Sequence, residues 1–279
     1  VAPSRGLGDV YKRQDMDQTF LNNQNTYNKD RFKELFNEMQ RQKIHFVAAS
    51  GSQHERLRAL FTPYANQMDF ISQNGSIIYS GDQLLDVEQL PVPLVQQTID
   101  TIFENFNDDE VMINVCGLTS SYIDQTTPQE IVDFLHQFYK EIRLVKNLRN
   151  FAQTGITDPV VKIAVSFADS ADLPGKVQNL RQKLDPQLTS LSSGFNTELI
   201  GFSHVDKASA LKHLMANYRV TPAELVTFGD NENDLKMLQM TPNGYAMKSG
   251  YPIVKEVTQH QTRFDNDHDG VLDVIESLL

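Results

Sequence analysis

The stretch Leu225-Val226-Thr227-Phe228-Gly229-Asp230-Asn231-Glu232-Asn233-Asp234 joins a short apolar run directly to a dense acidic loop. An apolar run of strand length with no polar alternation is how a strand buried on both faces of a parallel sheet reads. A loop of functional groups at its carboxyl end is where open α/β sheets place their ligands. Two other stretches have the same character. Lys43 to Ala49 (KIHFVAA) is apolar and runs into Ser50-Gly51-Ser52, and Asp15-Met16-Asp17-Gln18-Thr19 sets two carboxylates one residue apart. A fourth element is Lys207, at the start of a helix predicted over 207–218.

Around these loops the pattern alternates. Phe32, Leu35, Phe36 and Met39 fall at helical spacing with charges between them, which predicts a helix from Asn28. A second helix is predicted over His54 to Phe61. Asp69 to Tyr79 reads as two strands broken by Asn74-Gly75, a hairpin-type turn. From about Leu84 the character changes: helices over 94–105, 128–139 and 174–184 alternate with strands over 111–116 and 160–167, without acidic strand-end loops. From Asn196 the first character returns, with a strand at 197–200, and the chain closes on a helix over 271–279. The expected architecture is α/β: a Rossmann-like parallel-sheet core from 15–83 and 196–279, split by an inserted α+β domain over 84–195.

The chain has 279 residues, 40% of them hydrophobic, and 25 basic against 36 acidic residues give a net charge of −11. That composition is globular, with enough length for a buried core. The acidity argues against a nucleic-acid or anionic-membrane partner, since both require a basic face. A single cysteine, Cys116, rules out an intrachain disulfide, and no apolar run reaches membrane-spanning length, so a soluble cytoplasmic protein is expected. Val1 to Gln14 (VAPSRGLGDVYKRQ) is basic and carries neither helical nor strand periodicity; it reads as an atypical leader, either a disordered one or a non-native segment joined to the protein.

The loop residues suit phosphoryl transfer. One carboxylate can take a phosphoryl group as an acyl phosphate, and a second can protonate the leaving oxygen and then activate water. Carboxylates beside a phosphate dianion need a hard cation between them, for which Mg²⁺ is the natural choice. A hydroxyl, backbone N–H groups and a lysine ammonium can hold the phosphoryl oxygens.

In order along the chain, DMDQT, ASGS, the lysine of VDKASAL and GDNENDL resemble the four motifs of the haloacid dehalogenase superfamily. The insertion between the second and third motifs, NGSIIY and NDHDGVLDVIE resemble its Cof-type subgroup IIB. DMDQTFLNNQNTYNKDRF, FVAASGSQ and CGLTSSYI are similar to the bacterial sugar phosphatases of that subgroup. The resemblance implies that Asp15 is the nucleophile and Asp17 the general acid/base. It implies Mg²⁺ held by the Asp15 carboxylate, the Asp17 carbonyl and Asp230, with Asp234 supporting the metal and Thr19 bracing the first loop. Ser50, the Gly51 amide and Lys207 would bind the phosphoryl group, assisted by the Met16 amide and Asn233. The substrate implied is a small phosphorylated metabolite, a sugar phosphate, read by the inserted cap domain.

This chain departs from the family pattern in three places. Gln18 stands where the family often has Gly, and Ser52 where it often has Arg. In place of an apolar strand before Asp15, Gly8 to Gln14 supplies only Val10 and Tyr11 as strand residues. Three rival readings accompany the phosphatase, one of them a folded but inactive chain altered before Asp15. A phosphotransferase or mutase on the same scaffold would pass the phosphoryl group to a second sugar. Asp265 to Glu276 (DNDHDGVLDVIE) also matches an EF-hand loop, which would make a Ca²⁺-binding protein; as a Cof-type loop the same stretch has Asp269 capping the last helix.

Overall fold

The computed structural model describes residues 11–136, 138–168, 172–192 and 196–279. Residues 1–10 of the leader lie outside the described residues, as do the side chains of residues 11–15 and 17. In chain order the elements begin β1 (Tyr11–Asp15), α1 (Lys29–Arg41), β2 (Phe46–Ala49), α2 (His54–Leu60), β3 (Asp69–Ser72), β4 (Ile77–Ser80) and β5 (Gln83–Val87). Next come α3 (Val92–Asn105), β6 (Val111–Gly117), β7 (Ser121–Asp124), α4 (Gln129–Leu135), β8 (Ile142–Val145), β9 (Val160–Phe167), α5 (Leu173–Lys183), β10 (Leu188–Ser192) and β11 (Thr197–Phe202). The chain ends with α6 (Lys207–Tyr218), β12 (Leu225–Gly229), α7 (Leu235–Leu238), β13 (Asn243–Ala246), α8 (Pro252–Val257), β14 (His260–Gln261) and α9 (Gly270–Leu278). No helix among the described residues is long and apolar enough to cross a membrane.

The chain divides into two compact units. One takes in the chain up to Ser50, Leu57–Leu85 and Asp206–Leu279; the other takes in Gly51–Arg56 and Asp86–Val205. In the first unit the strands run β14-β13-β12-β1-β2-β3-β4-β5, parallel from β14 to β3, with β4 antiparallel to β3. Every residue of β2, β3 and β12 is buried, as the apolar runs of β2 and β12 require of strands covered on both faces, while β3 also buries Asp69 and Ser72 at its ends. Alternation divides β2 between two cores. Phe46 and Ala48 join Phe20, Phe32, Phe36 and Phe61, whereas Val47 and Ala49 join Leu211 and Leu214 of α6. Asn28 caps α1 by accepting a hydrogen bond from the Arg31 N–H, and Phe32, Leu35, Phe36 and Met39 form its buried face.

The strand before Asp15 is the first correction. Its polar sequence, YKRQD, forms β1, in the middle of the sheet. Tyr11 to Gln14 stand opposite Leu225 to Phe228, and Lys12 to Asp15 opposite Phe46 to Ala49. Backbone pairing on both sides makes a strand of residues whose side chains would not suggest one.

The second unit carries a six-stranded sheet in the order β10-β11-β9-β6-β7-β8, antiparallel except for the parallel β7–β8 pair. Val111, Ile113 and Val115 of β6 and Ile163 and Val165 of β9 cover one face together with Ile99 of α3 and Leu180 of α5. Two sequence readings change here. The strand beginning at Thr197 pairs with β9 and β10, so it belongs to the second unit, and the chain re-enters the first unit at Asp206 rather than Asn196. The helix expected over 128–139 stops at Leu135.

Candidate active site

The register of the parallel strands gathers the acidic stretches. Asp15 ends β1 opposite Ala49, Ser50 follows β2, and Asp230 follows β12, which lies on the other side of β1. Beyond Asp15, Met16 to Phe20 make a single wide turn in which the Leu21 N–H donates to the Met16 carbonyl at 2.8 Å. This turn leaves Gln18 with φ of 60°, the left-handed region, which explains why glycine suits the position.

The turn also delivers Thr19 to the acidic loop. The Thr19 hydroxyl, buried, donates to Asp230 Oδ1 at 2.6 Å. Asp230 is itself 5% exposed, and its backbone is anchored twice: its carbonyl accepts from the Tyr251 N–H and its own N–H donates to Asp234 Oδ2 at 3.1 Å. The Asn231 N–H donates to the same oxygen at 3.3 Å. The other Asp234 oxygen accepts from Lys207 Nζ at 2.9 Å, with side-chain exposures of 1% for the lysine and 0% for the aspartate. Gly229 makes this approach possible, because a Cβ there would lie 2.5 Å from the Asp234 Cβ.

Lys207 opens α6. Asp206 caps that helix by accepting from the Ser209 N–H at 2.7 Å while the Ser209 hydroxyl accepts from the Asp206 N–H. Lys236 Nζ donates to the other Asp206 oxygen at 2.7 Å. Ser50 is buried, its N–H donating to the Ile71 carbonyl and its carbonyl accepting from the Asn74 N–H, each at 2.9 Å. Met16 is buried, Asn233 is half-buried, and Asn233 Oδ1 has no hydrogen-bond partner among the described residues.

Of the residues singled out in the sequence, the structure thus joins Thr19, Asp230, Asp234 and Lys207 in one buried chain of bonds. It sets Ser50 and the backbone of Asp15 at neighbouring strand ends. Gly51 is counted with the second unit, and the side chains of Asp15 and Asp17 lie outside the described residues. The sequence carried no sign that Asp234 would grip both Lys207 and the backbone of its own loop.

The acidic stretch 265–276 does other work. Asp267 accepts from the Asn23 backbone and side chain; Asp269 accepts from Asn28 Nδ2 at 2.8 Å and from Arg31; Glu276 pairs with Arg31. Asp269 takes φ of 57° and makes no side-chain cap on α9, a correction to its expected capping role. These carboxylates tie α9 and its preceding loop to α1 and the Asn23 loop. No cluster of three or more potential metal-binding side chains occurs among the described residues.

A family model for haloacid dehalogenase-like hydrolases matches residues 14–275. The 5-amino-6-(5-phospho-D-ribitylamino)uracil phosphatase YbjI of Escherichia coli (strain K12) is 28% identical over 267 residues, covering 95% of this chain and 94% of that protein. The solved structure of SMU.1108c from Streptococcus mutans UA159 superposes with a TM-score of 0.87 at 27% identity, covering 97% of this chain and 98% of that one. A haloacid dehalogenase subclass IIB sugar phosphatase, BT4131, shares the fold at a TM-score of 0.76 and 14% identity over 96% of this chain and 98% of its own. With the family match running across nearly all of the chain and through every one of these strand-end loops, the protein is an enzyme that belongs to the haloacid dehalogenase-like hydrolases.

Proposed function

We propose that the chain is a Mg²⁺-dependent phosphomonoesterase acting on small phosphorylated metabolites of the sugar or sugar-alcohol class through an aspartyl phosphate. The observation that carries this reading is the buried chain Thr19–Asp230–Asp234–Lys207, at the strand ends that also carry Ser50 and Asp15. The name of the Escherichia coli relative, a phosphatase of a phospho-D-ribitylamino compound, supports a phosphorylated polyol as the kind of substrate.

In this reading an Asp15 carboxylate oxygen attacks phosphorus. The bond to the leaving oxygen breaks, and Asp17 gives that oxygen its proton. Water then loses a proton to Asp17 and attacks the acyl phosphate; the bond from phosphorus to Asp15 breaks and inorganic phosphate leaves. Lys207 Nζ and the Ser50 hydroxyl hold phosphoryl oxygens, with the Gly51 and Met16 amides and Asn233 assisting. Asp234 fixes the lysine and Thr19 fixes Asp230.

The donors offered to a metal by Asp15, the Asp17 carbonyl and Asp230 are all hard oxygens, which fits Mg²⁺. Held there, it would offset the repulsion between these carboxylates and the phosphate dianion. The buried and oriented Asp230 carboxylate agrees with that role.

The test is phosphate release from a panel of sugar and polyol phosphates with Mg²⁺, parent beside Asp15→Asn. Release by the parent alone is expected. Equal release by both would refute the nucleophile, and a phosphorylated acceptor in place of free phosphate would turn the reading to a phosphotransferase.

A further inference from the structure

Directly after β3, Gln73, Asn74 and Gly75 follow one another with φ of 51°, 57° and 113°. Two residues with side chains therefore sit in the left-handed region, which Asn tolerates and Gln does not favour. Such backbone persists only where its surroundings hold it. Here the first unit holds it on two sides. The Asn74 N–H donates to the Ser50 carbonyl at 2.9 Å. Gly75 lies against the carbonyl of Asp206, the residue before Lys207, so closely that a Cβ would stand 2.2 Å from that oxygen. The turn thus runs from the Ser50 backbone to the start of the helix that carries Lys207.

Both side chains are withdrawn from solvent, Gln73 to 1% and Asn74 to 8% exposure. Yet Gln73 Nε2, a donor, and Asn74 Oδ1, an acceptor, have no hydrogen-bond partner among the described residues. Buried polar groups are nearly always paired with protein, ordered water or ligand, so two adjacent exceptions mark a place for a water or a ligand hydroxyl. A phosphate dianion can only accept hydrogen bonds and so cannot satisfy the Asn74 carbonyl. A hydroxyl both donates and accepts, and two neighbouring hydroxyls match a donor beside an acceptor.

We infer that Gln73 and Asn74 read the leaving group, selecting phosphomonoesters that carry hydroxyl donors close to the ester. This rests on the phosphatase reading above. The experiment compares kcat/KM for ribitol 5-phosphate with kcat/KM for p-nitrophenyl phosphate, whose leaving group offers no such hydroxyls. The enzymes are the parent, Gln73→Met and Asn74→Gly, with Mg²⁺; glycine keeps the left-handed backbone without steric cost. The ratio of the two constants is expected to fall about tenfold or more in each variant. A ratio that stays within about twofold overturns the inference, whether both substrates are lost together, as a disturbed Ser50 and Lys207 would produce, or neither is. If instead the parent releases phosphate from neither ester, or Asp15→Asn matches it, the phosphatase reading itself falls and the inference falls with it.

Discussion

Lys207 and Asp234 form an ion pair at 2.9 Å with neither side chain reaching solvent. Removing one partner of such a pair leaves a buried charge uncompensated, at a cost of about 3–5 kcal/mol. Lys207→Met should therefore lose both activity and stability. Lys207→Met combined with Asp234→Leu should recover part of the stability but none of the activity. Chemical denaturation and phosphate release measured on the same preparations separate the two effects, and a double variant no more stable than Lys207→Met would contradict this account.

Asp17 is proposed to move the proton twice in each turnover. Asp17→Asn should lower kcat by about 10²–10⁴-fold, the usual worth of a positioned acid or base. Because a better leaving group needs less proton donation, the loss should be smaller on an aryl phosphate than on an alkyl one. Steady-state kinetics on such a pair of substrates would show it; equal losses would argue against Asp17 as the acid.

Gly229→Ala should be damaging although alanine is small. Its Cβ would meet the Asp234 side chain, with the nearest carbon 2.5 Å away, and push the carboxylate off Lys207 and the loop amides. Overpacking of this kind costs about 1–3 kcal/mol. A melting temperature matching the parent's would show that the loop relaxes freely.

Asp69, at the start of β3, is buried; its Oδ1 accepts from the Tyr218 hydroxyl at 3.1 Å, and His45 Nδ1 lies 3.8 Å from Oδ2. Burial raises its pKa above the ordinary carboxylate value, against the pull of Ser80, His45 and Tyr218. A folded pKa above the unfolded one gives a contribution that is full below the unfolded value and is lost as pH rises through the folded value. Asp69→Asn should therefore raise the melting temperature more near pH 7 than near pH 4. An equal shift at both would mean that Asp69 titrates alike in the two states.

The strand β1 carries Lys12, Arg13 and Gln14 between the apolar strands β2 and β12. Replacing these residues by Val, Ile and Phe should raise thermal stability, since a strand paired in parallel on both sides is normally apolar in sequence. An unchanged melting point would show that the existing residues already suit their places.

The parallel strands β2 and β12 were legible because burial on both faces leaves an unbroken apolar run, and α1 because one face repeats at helical spacing. β1 was not, since its pairing comes from its neighbours' backbones. Nor could TELIGF declare its sheet: a strand's partners are a tertiary choice, and β11 found β9 and β10. At the site, the loops announced their chemistry through residue type and order. Asn74-Gly75 did signal a turn, but not that Gln73 joins it in the left-handed region, because Gln gives no local hint of that conformation.

The Thr19–Asp230 hydrogen bond closes a sequence separation of 211 residues. During synthesis at roughly 5–20 residues per second, roughly ten to forty seconds pass between the emergence of its two ends. Throughout that interval β1 and β2 lack β12, and the turn after β1 lacks the carboxylate that its threonine will meet. This loop-to-loop closure therefore waits on synthesis through residue 230, long after the strands it will brace have been made.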